Sequence, residues 1–338
     1  MSTADRSSSP PQENPPEKTF EEEIDVSLST MIIRVVDSWG QPILGLKPED
    51  LRVRVGKKEV AVVALDWISA DDVQVSVAAV PAAEGTAELT VQPEPAPGRL
   101  VVIFVQADLN PTRISGQLRL RRYTRELLGT LHAHDRVAVV SFDSHLKLWQ
   151  DFTADRDATY AALARAMLFS PEEEVPSSEP LSLAKHFDFA AALSASSPER
   201  ALELTGRALQ PLPGEKTVIF LGWGLGRFDA SGVRMTPDYK PAVRALGAAH
   251  ASVFVLDVTS ADYHSLEVGL ESVAEATGGV YFKTFRLPGL ATRTLARTIS
   301  GYYVLTLDRS SLADQQGKIR VDLRQKSGTV LTRPVAVR

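Results

Sequence analysis

Four uninterrupted apolar runs, each about as long as one β-strand, dominate the middle of the sequence. They are LVVIFVQ (100–106), RVAVVSF (136–142), KTVIFLG (216–222) and SVFVLDV (252–258). A strand without polar alternation is buried on both faces, which is typical of a parallel sheet that is covered by helices on each side. The segments between the runs have the apolar spacing of helices. This alternation predicts an α/β fold, Rossmann-like, whose parallel strands are joined by right-handed helical crossovers.

The helices are predicted from apolar spacing and from the residues at their ends. They are expected at 114–132, 155–168, 181–194, 198–209, 237–249, 264–276 and 289–300. Asp155 or Asp157 is a plausible N-cap, and the glycines after Thr277 predict a left-handed C-cap. VYFKT is expected to form a fifth strand, and YYVLTLD (302–308) is expected to close the sheet.

The segment before these runs has short strands with turn residues about every 8–12 positions, as in small β-sandwiches. Its strands are expected at 24–36, 51–55, 59–65, 72–78 and 86–92. A β-rich module over 23–96 is therefore predicted, and the Pro-rich stretch 93–98 is the expected connector to the α/β domain, 97–310.

The two ends of the chain are predicted separately. Residues 1–22 are rich in Ser, Pro and Glu, which predicts a disordered tail. Residues 311–338 predict a C-terminal β-hairpin with a Gly turn, packed on the β-module or on the edge of the sheet.

Composition excludes several kinds of chemistry. The 338 residues include no cysteine, so disulfides, thiolate zinc sites and cysteine nucleophiles are excluded. The net charge of −5 is too small to indicate a nucleic-acid or membrane partner. No apolar run approaches the roughly 18 residues of a membrane helix, and the first residues contain no signal-peptide core. Either the protein is not exported or a leader has been removed. Five arginines crowd one segment, as expected for the solvated face of a helix: Arg113, Arg119, Arg121, Arg122 and Arg125.

The order of the segments resembles the bacterial von Willebrand factor A-related family best known from Acidobacteria. The matching pieces are VVDSWGQPILGLKPEDLRVRVGKKEV, DRVAVVSFDSHLKLWQDFTADRDAT, PLPGEKTVIFLGWG, VFVLDV, VAEATGGVYF and ISGYYVLTLD. The resemblance implies a β-rich N-terminal module, a von Willebrand A domain and a C-terminal β segment. It also implies export to the periplasm or the cell exterior, which the chain itself does not settle.

This resemblance raises the question of a metal-ion-dependent adhesion site, which in the family is an Asp-x-Ser-x-Ser loop after the first strand. At the matching place Asp108, Asn110 and Thr112 preserve three oxygen donors, whereas a strict reading of the strand puts Gln106 first. The loop that normally adds a second Asp is here Gly222-Trp223-Gly224. A hard dication such as Mg²⁺ needs carboxylate ligands. We therefore expect a degenerate site, with no cofactor and at most weakly bound Mg²⁺.

Other motifs leave alternatives open. The spacing Gly222-x-Gly224-x-Gly226 is not that of a dinucleotide loop. Trp223 is either a cap on the core or an exposed anchor for a partner. Asp257 ends a strand, where α/β sheets place functional groups, or it caps the following turn.

The sequence also lacks recognisable catalytic motifs. Asp143, Ser144 and His145 are adjacent, and adjacency does not make a catalytic triad. Neither a nucleophile elbow nor a phosphate-binding loop is present.

These observations predict a non-enzymatic protein-interaction module. Its contact surface is expected around 106–113, 143–145, 222–229 and 257–262, with Trp223, Asp143 and Asp257 as candidate partner-binding residues. The alternative is a structural subunit of a larger assembly, anchored by the N-terminal tail and the β-module. The expected partner is a protein and not a nucleic acid.

Overall fold

The computed structural model describes residues 28–69, 73–80, 88–95, 98–178, 180–308, 317–324, 327–334 and 336–337. The predicted disordered tail, 1–22, lies outside these residues. Among the described residues, no helix is both long and apolar enough to span a bilayer.

The strands and helices are named in chain order. The strands are β1 (Leu28–Val36), β2 (Leu51–Val55), β3 (Lys58–Val60), β4 (Val62–Ser69), β5 (Val73–Val80), β6 (Glu88–Pro95), β7 (Leu100–Gln106), β8 (Arg136–Phe142), β9 (Leu146–Thr153), β10 (Lys216–Gly222), β11 (Arg227–Asp229), β12 (Gly232–Arg234), β13 (Ala251–Asp257), β14 (Tyr281–Lys283), β15 (Gly301–Asp308), β16 (Gly317–Leu323), β17 (Thr329–Thr332) and β18 (Ala336–Val337). The α-helices are α1 (Pro111–Gly129), α2 (Arg156–Met167), α3 (Phe189–Leu193), α4 (Pro198–Leu209), α5 (Tyr239–Ala248), α6 (Glu267–Thr277) and α7 (Pro288–Thr298).

The central sheet has the strand order β14-β13-β10-β7-β8-β9. All neighbouring pairs are parallel except β8 and β9, which are antiparallel. Side chains on one face of the sheet pack against α3, α4, α5 and α6, and those on the other face pack against α1, α2 and α7. The predicted α/β fold, with a mostly parallel sheet flanked by helices, is confirmed.

The ends of several helices follow the predicted signals. Asp155 caps α2 by accepting a hydrogen bond from the backbone N–H of Ala158, 2.9 Å away. Gly278 ends α6 with a φ of 74°, in the left-handed region where glycine carries no steric cost. The predicted helix 181–194 is interrupted, because it contains a 3₁₀ turn at Ala184–His186 and then the short α3.

A β-sandwich lies beside the central sheet. One layer has the order β17-β1-β15-β4 and the other has the order β18-β16-β2-β3. Their inner faces share a core that includes Ile33, Leu51, Tyr303, Leu305 and Ile319. The sandwich therefore combines segments from both ends of the described chain.

Two strand predictions are wrong in their pairing. The strand 302–308 does not close the central sheet, because β15 pairs antiparallel with β1 and β4. The predicted C-terminal hairpin is also not found among the described residues, since β16 pairs with β2 whereas β17 pairs with β1. Both segments instead pair with strands from the N-terminal part of the described chain.

Buried charges join the sandwich to the α/β domain. The Arg34 guanidinium lies 3.5 Å from Glu215 and donates a hydrogen bond to Ser252 Oγ at 3.2 Å. Arg333, which follows β17, forms an ion pair with the same glutamate. Burial lowers the pKa of Arg34, with Glu215 opposing that shift. A single carboxylate thus holds two arginines that are distant in sequence and lie in, or directly after, neighbouring strands of the sandwich.

A second buried ion pair, between Arg99 and Asp135, lies at the starts of β7 and β8. The Asp135 carboxylate, which is 1% exposed, accepts hydrogen bonds from the backbone N–H groups of Arg99 and His132 and from the Arg99 guanidinium. The same guanidinium donates to the carbonyl of Ile299, directly after α7. Burial tends to raise the pKa of Asp135, but the hydrogen bonds and the charge of Arg99 outweigh it and leave that pKa lowered.

We expect Asp135→Asn to lower the free energy of unfolding by about 3 kcal/mol at pH 7, because Arg99 then lacks its buried counter-charge. Since the folded-state pKa of Asp135 is lowered, its contribution is complete above the unfolded pKa of about 4 and is lost as the pH falls through the folded pKa. The difference from the native chain should therefore shrink below about pH 4.

Urea unfolding of both chains over this pH range measures the effect. Asp157→Asn is the matched control, because the Asp157 side chain is 93% exposed and lies 3.6 Å from Arg125. It should change stability by less than about 0.5 kcal/mol. A difference for Asp135→Asn that does not depend on pH would contradict the electrostatic explanation.

Candidate functional site

The parallel strands of the central sheet end in register at one edge. Gly222 at the end of β10 pairs with Asp257 at the end of β13, and Asp257 pairs with Lys283 at the end of β14. Gln106 ends β7 beside Phe142 of β8. The loops that follow these strands therefore share one edge of the sheet, called the carboxyl edge below, which is where α/β folds usually place their sites.

The Gln106 side chain holds one of these loops in place. Its amide is 1% exposed, and its Oε1 accepts hydrogen bonds from the backbone N–H groups of Trp223 and Gly224 at 2.9 and 3.2 Å. Its Nε2 donates to the carbonyl of Gly224 at 2.8 Å. A carboxylate could accept the first two bonds but could not donate the third. The neutral residue thus fits a loop that requires both an acceptor and a donor.

The three predicted metal ligands each have a partner within the loop. Asp108 forms an ion pair with Arg113 and accepts a hydrogen bond from the backbone N–H of Asn110 at 2.7 Å. The Asn110 side chain caps α1 by accepting from the backbone N–H and the hydroxyl of Thr112, at 3.0 and 2.7 Å. The segment therefore starts a helix, and its one carboxylate faces a guanidinium.

Trp223 is neither a fully buried cap on the core nor a fully exposed anchor. Its ring is partly buried against the core on the α1, α2 and α7 face of the sheet. The guanidinium carbon of Arg113 lies 3.4 Å from the ring centroid, which is a cation–π contact. Arg113 thus connects Asp108 to Trp223 and fixes the indole at the carboxyl edge.

Other large apolar side chains are exposed at the same edge. They come from the loops after β7, β10, β13 and β14, and they are Leu109, Phe228, Tyr263, Phe285 and Leu287. Tyr263 and Leu109 are 79% and 74% exposed. Phe228 belongs to the hairpin of β11 and β12. This set of residues is called the apolar edge surface below.

Asp257 is the centre of a buried hydrogen-bond network. Its Oδ1 accepts from the backbone N–H of Thr259 at 2.8 Å, so it does cap the following turn. Its Oδ2 lies 2.9 Å from His264 Nε2 and accepts from the Tyr281 hydroxyl at 2.6 Å. Burial alone would raise the pKa of Asp257, but these hydrogen bonds lower it. Burial and the neighbouring Asp257 raise the pKa of Tyr281, so the phenol stays protonated and acts as a donor.

Sequence analysis missed His264, Glu267 and Tyr281. The one local signal was a histidine three residues before a glutamate at the start of a helix, a spacing that places the two side chains close together. Ligand atoms of Asp257, His264 and Glu267 all lie within 4.8 Å of one another.

Asp143 and its neighbours form a separate polar network at the end of β8. Asp143 accepts from Lys147 Nζ and from the Ser144 hydroxyl, both at 2.9 Å. Ser144 Oγ also lies 3.0 Å from His145 Nδ1, and His145 Nε2 lies 3.0 Å from Glu172. The single Ser144 hydroxyl thus lies within hydrogen-bond distance of both the Asp143 carboxylate and the His145 imidazole.

This network borders an open groove of about 710 Å³. Phe187, Phe189 and Leu193 contribute apolar wall. Glu172, which comes from a distant loop, is a further residue that sequence analysis did not connect to Asp143.

The comparisons with known proteins concern the fold. No family model and no curated protein matches the sequence. Among solved structures, the conserved hypothetical protein BatB from Bacteroides thetaiotaomicron has a TM-score of 0.39 and 16% identity, with 60% of this chain and 98% of that chain covered. An aerotolerance-related membrane protein from Bacteroides fragilis has a TM-score of 0.41 and 12% identity, with the same coverage.

A von Willebrand factor type A structure from Catenulispora acidiphila has a TM-score of 0.41 and 11% identity, with 92% of this chain and 73% of that chain covered. The α/β architecture itself follows from the strand order described above.

The Gln106 contacts generate a test of the site geometry. Gln106→Glu should lower the free energy of unfolding by about 2 kcal/mol, since the new side chain cannot donate to Gly224 and places a buried charge beside a carbonyl. Urea unfolding at pH 7 measures the change. Gln41→Glu, at an exposed position, is the control and should change stability by less than about 0.5 kcal/mol. An equal effect of the two substitutions would show that the Gln106 amide does not hold the loop.

Proposed function

We propose that this chain is a non-enzymatic protein-interaction module that binds its partner through the apolar edge surface. The observation that carries the proposal is the exposure of Leu109, Phe228, Tyr263, Phe285 and Leu287 at one edge of a rigid sheet. Single exposed apolar residues are ordinary on protein surfaces, whereas a set at one edge marks an interaction site. Loops on a rigid scaffold are also where binding residues concentrate.

The contacts beneath this surface support a preformed recognition site. Gln106 fixes the backbone at Trp223 and Gly224, and Arg113 fixes the indole of Trp223. A loop that is ordered before binding loses less conformational entropy when the partner arrives. Partly buried Trp223 therefore supports the exposed residues, and Tyr263 and Phe228 are the expected anchors.

The proposed interaction does not use Mg²⁺ at residues 108–112. The carboxylate of Asp108 is paired with Arg113, and the Gln106 amide is hydrogen-bonded to the loop at Trp223. To bind here, an ion would have to displace the Arg113 guanidinium from Asp108. Its ligands would then be one carboxylate and neutral oxygens. Mg²⁺ gives up its water reluctantly and is held by carboxylates, so this donor set is a poor competitor. The site is, in this proposal, a degenerate form of the metal-ion-dependent adhesion site.

A second candidate function has its own observation. Trp39 and Leu44, which follow β1 in the sandwich, are 61% and 62% exposed. They favour the alternative of a structural subunit that is anchored in an assembly by its β-module. The two candidates place the contact on different parts of the molecule, so variants of each surface distinguish them.

We expect the double variant Phe228→Ser/Tyr263→Ala to lose the partner that co-purifies with the full chain from native cells. Loss of a central aromatic anchor costs about 2 kcal/mol or more, which weakens binding by roughly 30-fold. Binding of the isolated partner, measured by calorimetry, quantifies the loss. The matched control is Trp39→Ala/Leu44→Ser, which should bind normally. Because all four side chains are exposed, both variants should keep the thermal midpoint of the native chain.

The opposite result, with binding lost in the Trp39/Leu44 variant and kept in the Phe228/Tyr263 variant, would favour the structural-subunit alternative.

We expect millimolar Mg²⁺ to leave the thermal midpoint of the protein unchanged relative to EDTA. An ion that binds only the folded state stabilises it by about 2.7 kcal/mol at a hundredfold excess over Kd, which is readily detected. The measurement is thermal unfolding of the native chain and of Asp108→Ala. A rise with Mg²⁺ that disappears in Asp108→Ala would show that residues 108–112 hold the ion.

A further inference from the structure

We propose that Asp257, His264 and Glu267 form a binding site for a divalent transition-metal ion of the Zn²⁺ class. This site is separate from residues 108–112 and does not depend on the interaction function proposed above. Its residues come from the end of β13, the loop that follows it and the first turn of α6.

The backbone holds these residues together before any ion arrives. Asp257 is 2% exposed at the end of a buried strand. The backbone N–H of Glu267 donates to the carbonyl of His264 at 3.2 Å, so both side chains lie on one turn at the start of α6. One ligand atom of each of the three residues lies within 4.8 Å of the others.

These separations match a small coordination sphere. With bonds of about 2.1 Å to a tetrahedral ion, neighbouring ligand atoms lie roughly 3.4 Å apart. Asp257 Oδ2 and His264 Nε2 are 2.9 Å apart, so an ion that replaces their hydrogen bond separates them by only about 0.5 Å. Rotation of the Glu267 side chain supplies the third ligand. The fourth position is left for water.

The chemistry of the donors selects the class of ion. One imidazole with two carboxylates suits Zn²⁺, whereas Mg²⁺ prefers oxygen ligands and keeps several waters. The two carboxylates already lie close together, because the Tyr281 hydroxyl is 2.6 Å from Asp257 and 3.4 Å from Glu267. A divalent cation offsets the repulsion between the two carboxylates in this half-buried place.

The surrounding groups orient the ligands as in known metal sites. The backbone N–H of Thr259 donates to Asp257 Oδ1, and the phenol of Tyr281 donates to Oδ2, the same oxygen that lies 2.9 Å from His264 Nε2. Such outer hydrogen bonds set ligand orientation and affinity. The hydroxyl of Thr259 is buried without a hydrogen-bond partner in the described part of the chain, so this turn keeps unused hydrogen-bonding capacity.

Lys283 is a cation that competes with an ion for Glu267. Its ammonium lies 3.2 Å from a Glu267 oxygen. It also donates to the carbonyl of Asp262 at 2.9 Å and lies 3.9 Å from the ring centroid of Tyr263. When the ion takes the glutamate, these two contacts keep Lys283 in place. The ion would tie the loop that carries Tyr263 to the sheet and to α6.

The test is a titration of the full chain, stripped with EDTA, with Zn²⁺ alone as the probe. We expect one equivalent to bind by calorimetry and the thermal midpoint to rise, and we expect Co²⁺ to give the visible absorption of a four-coordinate site. His264→Gln and Glu267→Gln should each weaken Zn²⁺ binding by about 100-fold or more, the upper end of the losses seen even for residues one step removed from a metal. Both positions are partly exposed, so these variants should fold, which circular dichroism without metal verifies.

Two controls separate this site from other Zn²⁺ ligands on the chain. His186→Gln removes an exposed histidine, and Asp108→Ala removes the carboxylate of the 108–112 segment. Both should bind Zn²⁺ as the native chain does. The proposal is overturned if the native chain takes up no stoichiometric Zn²⁺, or if its binding survives in both His264→Gln and Glu267→Gln.

Discussion

The burial of β7 along its whole length is the constraint on which the rest of the structure depends. Every residue of this strand is buried, with β8 and β10 at its sides and helices over both faces. A polar side chain along such a strand has to find a buried hydrogen-bond partner. In β7 the polar side chain is placed at the strand end. Gln106, the last residue of β7, is the first position where a polar side chain can act, and it holds a neighbouring loop.

At residue 106, an amide and a carboxylate of similar shape would give the carboxyl edge different charge and different hydrogen bonds. A carboxylate at residue 106 could not donate to the carbonyl of Gly224 and would leave a buried negative charge beside it. The Gln106 amide satisfies both polarities of the loop without any ion, while Arg113 provides the positive charge that faces Asp108. Side chains of the protein thus provide what a bound ion provides elsewhere. In the function we propose, recognition then rests on exposed apolar groups, whose strength varies little with ion concentration.

Part of this organisation can be predicted from the sequence because it is encoded locally. The four apolar runs and the caps at Asp155 and Gly278 depend on neighbouring residues, and each is found where expected. Pairing is not local. YYVLTLD has the composition of a buried parallel strand, yet β15 pairs with β1 and β4, and nothing within the segment distinguishes the two outcomes. The strand β9 was likewise not predicted, because it is an antiparallel edge strand in a sheet whose pattern indicates parallel pairing.

The same distinction applies to the side-chain clusters. Asp257 could be singled out, because a carboxylate at the end of a buried strand stands out in any sequence. Its partners could not, since His264 comes from a loop and Tyr281 from a neighbouring strand. The link from His145 to Glu172 spans a helix and a long loop. Chemistry that requires three elements to converge becomes visible only when their packing is known.

The sandwich built from both ends of the chain has a consequence for how the protein is made. Leu28 pairs with Asp308 and Val36 pairs with Thr329, so β1 has no neighbour in its sheet until residues 301–332 have left the ribosome. The α/β domain can form earlier, and the contact of Arg99 with Ile299 then brings the first and last segments of this domain together. Once the α/β domain has folded, pairing β1 with β15 costs less loop-closure entropy, because the residues between them act as one closed loop. The sandwich then assembles after the α/β domain has folded. A chain that stops before residue 300 leaves β1 exposed as an unpaired edge.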